Sequence, residues 1–196
     1  MLALVRPALA SMGLFTVLLG LAYPLAITGV AQGAFPHQAN GSVIRVGGKV
    51  VGSELIGQSF AQPQYLHSRP SAAGSNGYDA SASSGSNLGP LNADLAKRIG
   101  EGAAAIRQED DVTVVPADAV TTSGSGLDPH ISPENAKMQV ARIAAARRVS
   151  AAQVKAVVDR HVEDRTLGIL GQPRVNVLET NLALDAAFPK GRPPAR

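Results

Sequence analysis

Residues 7–36 read PALASMGLFTVLLGLAYPLAITGVAQGAFP, a stretch without a single charged side chain. A helix rises about 1.5 Å per residue and needs about 20 mainly apolar residues to cross a hydrocarbon core of roughly 30 Å. Residues 8–30 meet this requirement. The sequence therefore predicts one membrane-spanning helix close to the N-terminus.

A cleaved signal peptide is the alternative interpretation of this segment. Ala31 and Gly33 are small residues that would flank a cleavage site after Gly33. The apolar core of a signal peptide usually has only about 7–15 residues and follows a more basic start. Here the core is longer, and only Arg6 and the amino terminus precede it. These features favour a permanent anchor.

The rest of the chain is long enough for one globular domain and short for two. We therefore expect an N-terminal tip and transmembrane helix in residues 1–35, and one soluble domain in residues 36–196. The soluble part holds all 15 acidic residues and 17 of the 18 basic ones, all but Arg6, so it is nearly neutral. With 4% aromatic residues and no basic stripe, a nucleic-acid partner is not expected. The chain has no Cys, which excludes disulfides and thiolate chemistry.

Local signals place several elements in the soluble part. Gly47-Gly48 separates the β-prone runs 42–46 and 49–51, which predicts a β-hairpin. Apolar residues recur at helical spacing from Leu91 to Ile106, and Asn92 is a suitable N-cap, so we expect a helix that ends near Gln108. The acidic run at 109–111 is then interpreted as a solvated helix end.

Further along, Ser132-Pro133-Glu134 has the pattern of a helix start, and the apolar stripe behind it is Ala136, Val140, Ile143 and Ala144. A capping box at residues 150–153 opens another short helix, whose buried face would be Val154, Val157 and Val158. Residues 175–177 are expected to form a short strand. An early hairpin, central helices and a late strand indicate the α+β class.

The search for catalytic patterns gives one weak candidate. Ser125, Asp128 and His130 lie in one loop and have the residue types of a hydrolase triad. A triad, however, needs three groups that converge from a rigid scaffold beside an oxyanion hole, and closeness in a Gly-rich loop does not supply that. His161 with Glu163 and Asp164 has the residue types of a metal cluster, but its helical spacing from Val154 and Val157 favours a packed histidine. No catalytic, cofactor or metal residue is assigned.

Several long segments closely resemble the C subunits of bacterial Kdp potassium-transporting ATPases, and the resemblance runs from the anchor to about Asp185. The segments are GQSF at 57–60, PQY at 63–65, SRPSAAGSNGYDA at 68–80, SSGSNLGP at 83–90, TTSGSGLDPHISP at 121–133, LGQPRVNV at 170–177 and NLALD at 181–185.

This resemblance implies a place in a four-subunit pump, as an accessory subunit of high-affinity potassium uptake. The partners would be a channel-like potassium-binding subunit, a P-type ATP-hydrolysing subunit and a very small single-span subunit. ATP and potassium would be handled by those partners. The family is described as a catalytic chaperone that raises the ATP affinity of the hydrolysing subunit, which would require nucleotide contact in the cytoplasm.

The compartment of the domain is therefore a separate question. Structural views of such complexes place this domain outside, over the channel-like subunit. We favour the periplasmic side of the inner membrane, with the N-terminus in the cytoplasm, because no phosphate-cradling motif is present. The alternative from another functional class is a membrane-anchored periplasmic hydrolase that uses the Ser125, Asp128 and His130 loop.

Two sets of residues are candidate subunit contacts. In the anchor, small residues recur three to four positions apart, and we expect this face to dock against a partner's transmembrane helix. Pro24 lacks the N–H that would bond to Gly20, so a mild bend is expected there. In the soluble domain, the Ser/Gly/Asn-rich segment 71–87 has a linker's composition, but the resemblance favours an ordered interface loop. The candidate anchor residues are Ala10, Gly13, Thr16 or Val17, and Gly20, and the candidate loop residues are Arg69, Pro70, Ser71, Tyr78, Asp79, Ser125, Asp128 and His130.

Overall fold

The computed structural model describes residues 2–189 and divides into two compact units, Met1–Val51 and Gly52–Arg196. Met1, where the predicted cytoplasmic tip begins, and residues 190–196 of the predicted soluble domain lie outside the described residues. The predicted boundary after residue 35 concerns the membrane and stays a prediction. The helices are α1 Leu2–Val17, α2 Tyr23–Ala34, α3 Pro36–Ala39, α4 Ala93–Asp110, α5 Ala117–Val120, α6 Pro133–Met138, α7 Val140–Arg147, α8 Ala151–Arg160 and α9 Val177–Ala187. The strands are β1 Val43–Val46, β2 Lys49–Ser53, β3 His130–Ile131, β4 Val162–Glu163 and β5 Arg174–Asn176.

The first unit begins with one long apolar helix. Residues Ala3–Ala34 form 32 consecutive helical residues with a mean hydropathy of 1.9, and none of the apolar window is buried by the rest of the protein. At about 1.5 Å per residue the helix is about 48 Å long, which exceeds the roughly 30 Å of a hydrocarbon core. The predicted N-terminal helix is confirmed as one that is long and apolar enough to cross a membrane.

This helix contains a wider turn just before Pro24. Leu18–Ala22 is a π turn, and the Tyr23 N–H donates to the Leu18 carbonyl five residues earlier. Single π turns interrupt the regular hydrogen-bond ladder at places where a helix bends. The bend itself stays a prediction. Nothing lies within 4 Å of a Cβ built on Gly13 or Gly20, so the small-residue face is open.

A hairpin closes the first unit. Strands β1 and β2 pair with each other, and the connecting residues Gly47 and Gly48 have φ angles of 57° and 80°. Both residues at the centre of a two-residue type I′ turn need positive φ, which glycine adopts without steric cost. The predicted hairpin and its turn are confirmed.

The second unit is built on a three-stranded antiparallel sheet with the order β3-β5-β4. Val175 in the middle strand lies opposite Ile131 on one side and Val162 on the other. The strand predicted at 175–177 is confirmed, but it ends at Asn176, because Val177 already begins α9. The Asn176 side chain caps this helix by accepting from the Glu179 N–H.

Helix starts in the second unit lie where the sequence predicts them. Asn92 accepts from the backbone N–H groups of Asp94 and Leu95 at the start of α4, Ser132 caps α6, and Ser150 forms the capping box of α8. Helix α4 ends at Asp110 rather than near Gln108. Leu91 precedes the helix and is fully exposed, so it is not part of a buried stripe.

The core of the second unit lies between the sheet and helices α6 to α9. Both predicted buried helix faces, 136–144 and 154–158, are confirmed. The largest fully buried apolar side chains are Leu66, Ile143, Leu184, Val154, Val158, Val175 and Val177. The α+β prediction is therefore confirmed.

Candidate functional site

The segment 63–67 places Leu66 in the core without a partner strand, and two side-chain amides pair its backbone instead. Asn181 of α9 accepts from the Leu66 N–H at 2.7 Å and donates to the Leu66 carbonyl at 3.0 Å. Gln139, between α6 and α7, does the same for His67, at 2.7 and 3.2 Å. Buried backbone groups must be paired, so these two amides allow an extended segment to lie against the core at Leu66 and His67.

Two arginines of α7 hold the same segment from one side. Arg142 donates to the Pro63 and Tyr65 carbonyls at 2.8 and 3.0 Å, and to Gln139 Oε1 at 2.6 Å. Arg147 donates to the Gln64 carbonyl at 2.8 Å and lies over the Tyr65 ring. The planar guanidinium has several donors in a fixed geometry and suits this multiple pairing.

The carboxylate that balances Arg142 is Asp110, at the end of α4. Arg142 Nε lies 2.7 Å from Asp110 Oδ1, and the two side chains are only 6% and 4% exposed. The prediction of a solvated helix end is wrong for Asp110. Within the acidic run, Asp110 is buried while Glu109 and Asp111 are exposed. Helix α4 extends two residues further than expected, and this brings Asp110 against α7.

His67 faces this ion pair. Its Nε2 lies 3.4 Å from Arg142, and its Nδ1 lies 3.6 Å from Glu109. Burial and the neighbouring Arg142 charge lower the pKa of the His67 imidazole. His67 is therefore held mainly neutral at pH 7, as a packed residue beside the pair.

A second cluster joins three of the predicted loop residues. Arg69 contacts Asp128 at 3.1 Å, and the other carboxylate oxygen of Asp128 lies 3.4 Å from His130 Nδ1. The Arg69 guanidinium also donates to the carbonyls of Thr121 and Thr122 at 3.4 Å. Although burial alone would raise it, the pKa of the Asp128 carboxyl is lowered by hydrogen bonds from His130 and by the Arg69 charge. Asp128 is thus a negative charge in a fixed position, and it links Arg69 to the loop 121–130.

The Ser/Gly/Asn-rich segment is fastened to this cluster. The Ser71 hydroxyl donates to the Gly126 carbonyl at 2.6 Å and accepts from the Tyr78 N–H at 2.8 Å. The Tyr78 hydroxyl donates to the Arg69 carbonyl, and burial raises the pKa of this phenol. Ala73 is fully buried. A linker would lack such contacts, so the structure agrees with an ordered loop.

Gly126 lies at a close approach of the two loops, 71–87 and 121–130. It has a φ of 67°, and an added Cβ would lie 2.5 Å from the Ser84 carbonyl oxygen and 2.7 Å from the Ala73 nitrogen. Both distances are below van der Waals contact, so a side chain here would push the loops apart. Ser84 also donates its N–H to the Ser125 carbonyl at 2.9 Å.

The predicted residues are thus only partly brought together. Pro70 lies half-buried beside Arg69, whereas Asp79 is exposed and its carboxylate accepts from Ser81. The hydrogen bonds from Ser81 lower the pKa of the Asp79 carboxyl.

The hydrolase hypothesis gains no support from this geometry. The Ser125 hydroxyl accepts from the Leu127 N–H at 3.1 Å and lies 3.4 Å from the Ser123 hydroxyl. Within residues 2–189, no hydrogen bond joins Ser125 to His130. Acyl transfer by a triad requires that contact.

His161 is held within its own helix end. Its Nδ1 lies 2.8 Å from the Val157 carbonyl oxygen, and the ring is partly buried. In the part of the chain that the structure describes, no group of three His, Cys, Asp or Glu side chains has a metal-binding arrangement.

Sequence reasoning missed four residues that hold segment 63–67, the core loop, in place: Asp110, Gln139, Arg142 and Asn181. Gln139 and Arg142 are polar residues three positions apart, and both adjoin the apolar stripe through Val140 and Ile143. Polar residues in such positions are typically buried with partners. The sequence could therefore have predicted that Gln139 and Arg142 are buried, but not which residues they contact.

Fold and site together define a protein with an apolar N-terminal helix and an α+β unit whose unusual loops are joined into one hydrogen-bonded surface. The chain matches the family described as "KdpC: K+-transporting ATPase, c chain" over residues 5–186. It is 66% identical over 190 residues to a protein of Caulobacter vibrioides (strain NA1000 / CB15N), with 96% of each chain covered. It is 60% identical over 196 residues to one of Beijerinckia indica, with 99% of each covered, and 54% identical over 178 residues to one of Koribacter versatilis, with 91% of this chain and 92% of the relative covered.

All three relatives are named potassium-transporting ATPase KdpC subunit. The chain therefore belongs to the KdpC family. The resemblance inferred from the loop segments is confirmed.

Proposed function

We propose that the chain is a non-catalytic accessory subunit of a P-type potassium-transporting ATPase complex, needed for its assembly and for stimulation of the ATP-hydrolysing subunit. The observation that carries this proposal is the family match over residues 5–186, which includes both the anchor and the loop surface. In this proposal the chain works with a channel-like subunit, the ATP-hydrolysing subunit and a small single-span subunit. Those partners handle potassium and ATP.

The loop surface suits a role in assembly. Its charged groups are already paired with one another, as in the contact of Arg69 with Asp128. A surface whose polar groups are fixed before binding loses little conformational entropy when a partner docks. The exposed part near Asp79 and the candidate loop residues then supplies the contact, and the buried part fixes its shape.

The anchor provides a second contact with the complex. Lipid tails are as apolar as Leu, so membrane helices associate through close packing, and small residues let two backbones approach. The open face at Gly13 and Gly20 has room for a partner helix. We place the anchor in the inner membrane, the N-terminus in the cytoplasm and the soluble domain in the periplasm.

ATP hydrolysis by the purified complex, with and without this chain, tests the proposed role. We expect potassium-stimulated hydrolysis to require the chain, and the chain alone to hydrolyse neither ATP nor a model ester. Ser125→Ala and His130→Ala should leave the ATPase activity of an intact complex unchanged. An ester hydrolase activity that both substitutions abolish, in folded protein, would replace this proposal with the hydrolase hypothesis.

A further inference from the structure

The hairpin at the end of the anchor has a composition unlike the rest of the protein. No acidic residue precedes Glu54, so Arg45 and Lys49 are the charged side chains of the hairpin and both are positive. Both are exposed, and neither forms an ion pair among the described residues. Val46 and Val50 beside them are 53% and 56% exposed. Exposed apolar side chains next to unpaired cations are typical of a surface that meets lipid headgroups.

A short, pinned connection keeps the hairpin close to the end of the anchor. The side-chain amides of Gln32, in α2, and Asn40 bond to each other at 3.1 and 3.4 Å. The first hairpin residue, Val43, is only three positions after Asn40, which limits the distance between them to about 10 Å. The hairpin through Val51 belongs to the same compact unit as the anchor.

The length of the anchor fixes where this connection lies in a bilayer. A helix of about 48 Å exceeds the roughly 40–45 Å of a bilayer with its headgroups, so its ends reach the headgroup layers. Gln32 is two residues from the end of that helix. A hairpin tied to Gln32 therefore begins at the height of the lipid phosphates.

The two-residue turn gives the hairpin a suitable arrangement of side chains. It sets Val46 opposite Lys49 and Arg45 opposite Val50, so the two cations lie on opposite faces of the hairpin, each beside one of these valines. The Arg45 guanidinium also donates to the Gly48 carbonyl at 3.5 Å, which holds its charge near the tip. Cations at this height attract phosphate oxygens, while the valines enter the boundary between headgroups and acyl chains.

We infer that the β1–β2 hairpin is a lipid-binding element whose tip enters the headgroup layer at the end of the anchor, so that both of its faces meet lipid, with Arg45 and Lys49 on lipid phosphates and Val46 and Val50 in the interfacial layer. The occupant of this surface is the membrane that the anchor itself spans. By binding lipid, the hairpin restricts the orientation of the C-terminal end of the anchor, near Ala34. It needs no partner subunit to do so.

Tryptophan fluorescence of the full chain in vesicles tests this inference, because the chain contains no Trp and a single introduced one is an unambiguous reporter. Val50→Trp is compared with Ala80→Trp, in the exposed loop of the second unit, and with Leu25→Trp, in the anchor. The vesicles contain phosphatidylcholine and phosphatidylglycerol, with bromine near the headgroup end of the acyl chains as a contact quencher. We expect quenching of Val50→Trp and Leu25→Trp, and none of Ala80→Trp.

The charge requirement is tested in the same vesicles. Adding Arg45→Gln and Lys49→Gln to Val50→Trp should lower the ratio of lipid-bound to free hairpin by about 5-fold for each charge removed, since an anionic surface attracts each nearby cation. Lys155→Gln, an exposed lysine of α8, is the matched control and should change nothing.

Four results would overturn the inference. Unquenched Val50→Trp beside quenched Leu25→Trp would show an inserted anchor with a free hairpin. Quenching that the double substitution leaves unchanged would show that Arg45 and Lys49 make no contact with lipid phosphates. Loss of quenching when the chain is assembled in the complete ATPase complex would show that a partner subunit, rather than lipid, covers the hairpin. An unquenched Leu25→Trp would overturn the anchor and this inference together.

Discussion

Arg142→Met should destabilise the second unit strongly, because Arg142 joins α7 to two other parts of the core. The methionine keeps much of the apolar volume of the side chain but removes every donor. Asp110 is then left as a buried carboxylate whose nearest cation is gone, and the Pro63 and Tyr65 carbonyls lose the donor that pairs them. The substitution therefore separates the loss of charge and hydrogen bonds from the loss of packing.

The size of the effect follows from the burial of the pair. Breaking a buried ion pair by removing one partner typically costs about 3–5 kcal/mol, because an uncompensated charge remains. Arg142 and Asp110 are 6% and 4% exposed, so this pair belongs to that class. For a chain of this length each kcal/mol shifts the melting temperature by about 2–4 °C, so we expect a decrease of roughly 10 °C.

Thermal unfolding of the full chain in detergent, followed by circular dichroism, measures this shift. Arg160→Met, at the exposed end of α8, is the matched control, and an exposed site of this kind should change stability by less than about 0.5 kcal/mol. The double variant Asp110→Leu with Arg142→Met should recover part of the loss, since no charge is then left buried. If Arg142→Met melted within about 2 °C of the unmodified chain, the pair would not hold the core loop.

The remaining predictions concern the anchor and its orientation. Gly20→Leu should reduce recovery of the intact complex because the added side chain prevents close helix packing, whereas Leu19→Ile, at the neighbouring position, should not. Equal recovery of both variants at matched membrane levels would show that this face does not hold the subunit. Phosphatase and fluorescent-protein fusions after Arg196 report the side of the soluble domain: phosphatase activity is expected, and fluorescence without phosphatase activity would place the domain in the cytoplasm.

Signals that act over a few residues could be predicted from the sequence. The N-caps Asn92, Ser132 and Ser150 and the Gly47-Gly48 turn depend on neighbouring backbone groups alone, and each lies where its pattern predicts. The apolar N-terminal helix is also predicted by a local signal, its uninterrupted run of uncharged residues.

Contacts between distant segments could not be predicted in this way. Asp110 is buried because it meets a residue 32 positions away, and Asn181 holds Leu66 across 115 positions. Strands β3 and β4 have only two residues each, which is too short for an alternating pattern. Helix α9 did have a signal, because Asn176 and Glu179 have the spacing of a capping box.

Of the candidate site, the sequence predicted the loops but not the way in which they are joined. Arg69, Asp128 and His130 form one cluster, whereas the Ser125 hydroxyl and the Asp79 carboxylate make contacts within their own loops, and Ser125 reaches the other loop through its backbone carbonyl. The geometry of these loops is set by paired charges and by Gly126. A glycine is required at position 126 because the other loop packs directly against it, and the sequence of one loop alone does not show this.

Purification of the complex through a tag on this chain, in mild detergent, tests the central claim most directly. The account predicts that a P-type ATPase and a channel-like subunit are recovered in constant proportion with the chain, together with potassium-stimulated ATP hydrolysis. Recovery of the folded chain by itself, from cells that contain an active potassium-transporting ATPase, would contradict the claim that it is a subunit of that complex.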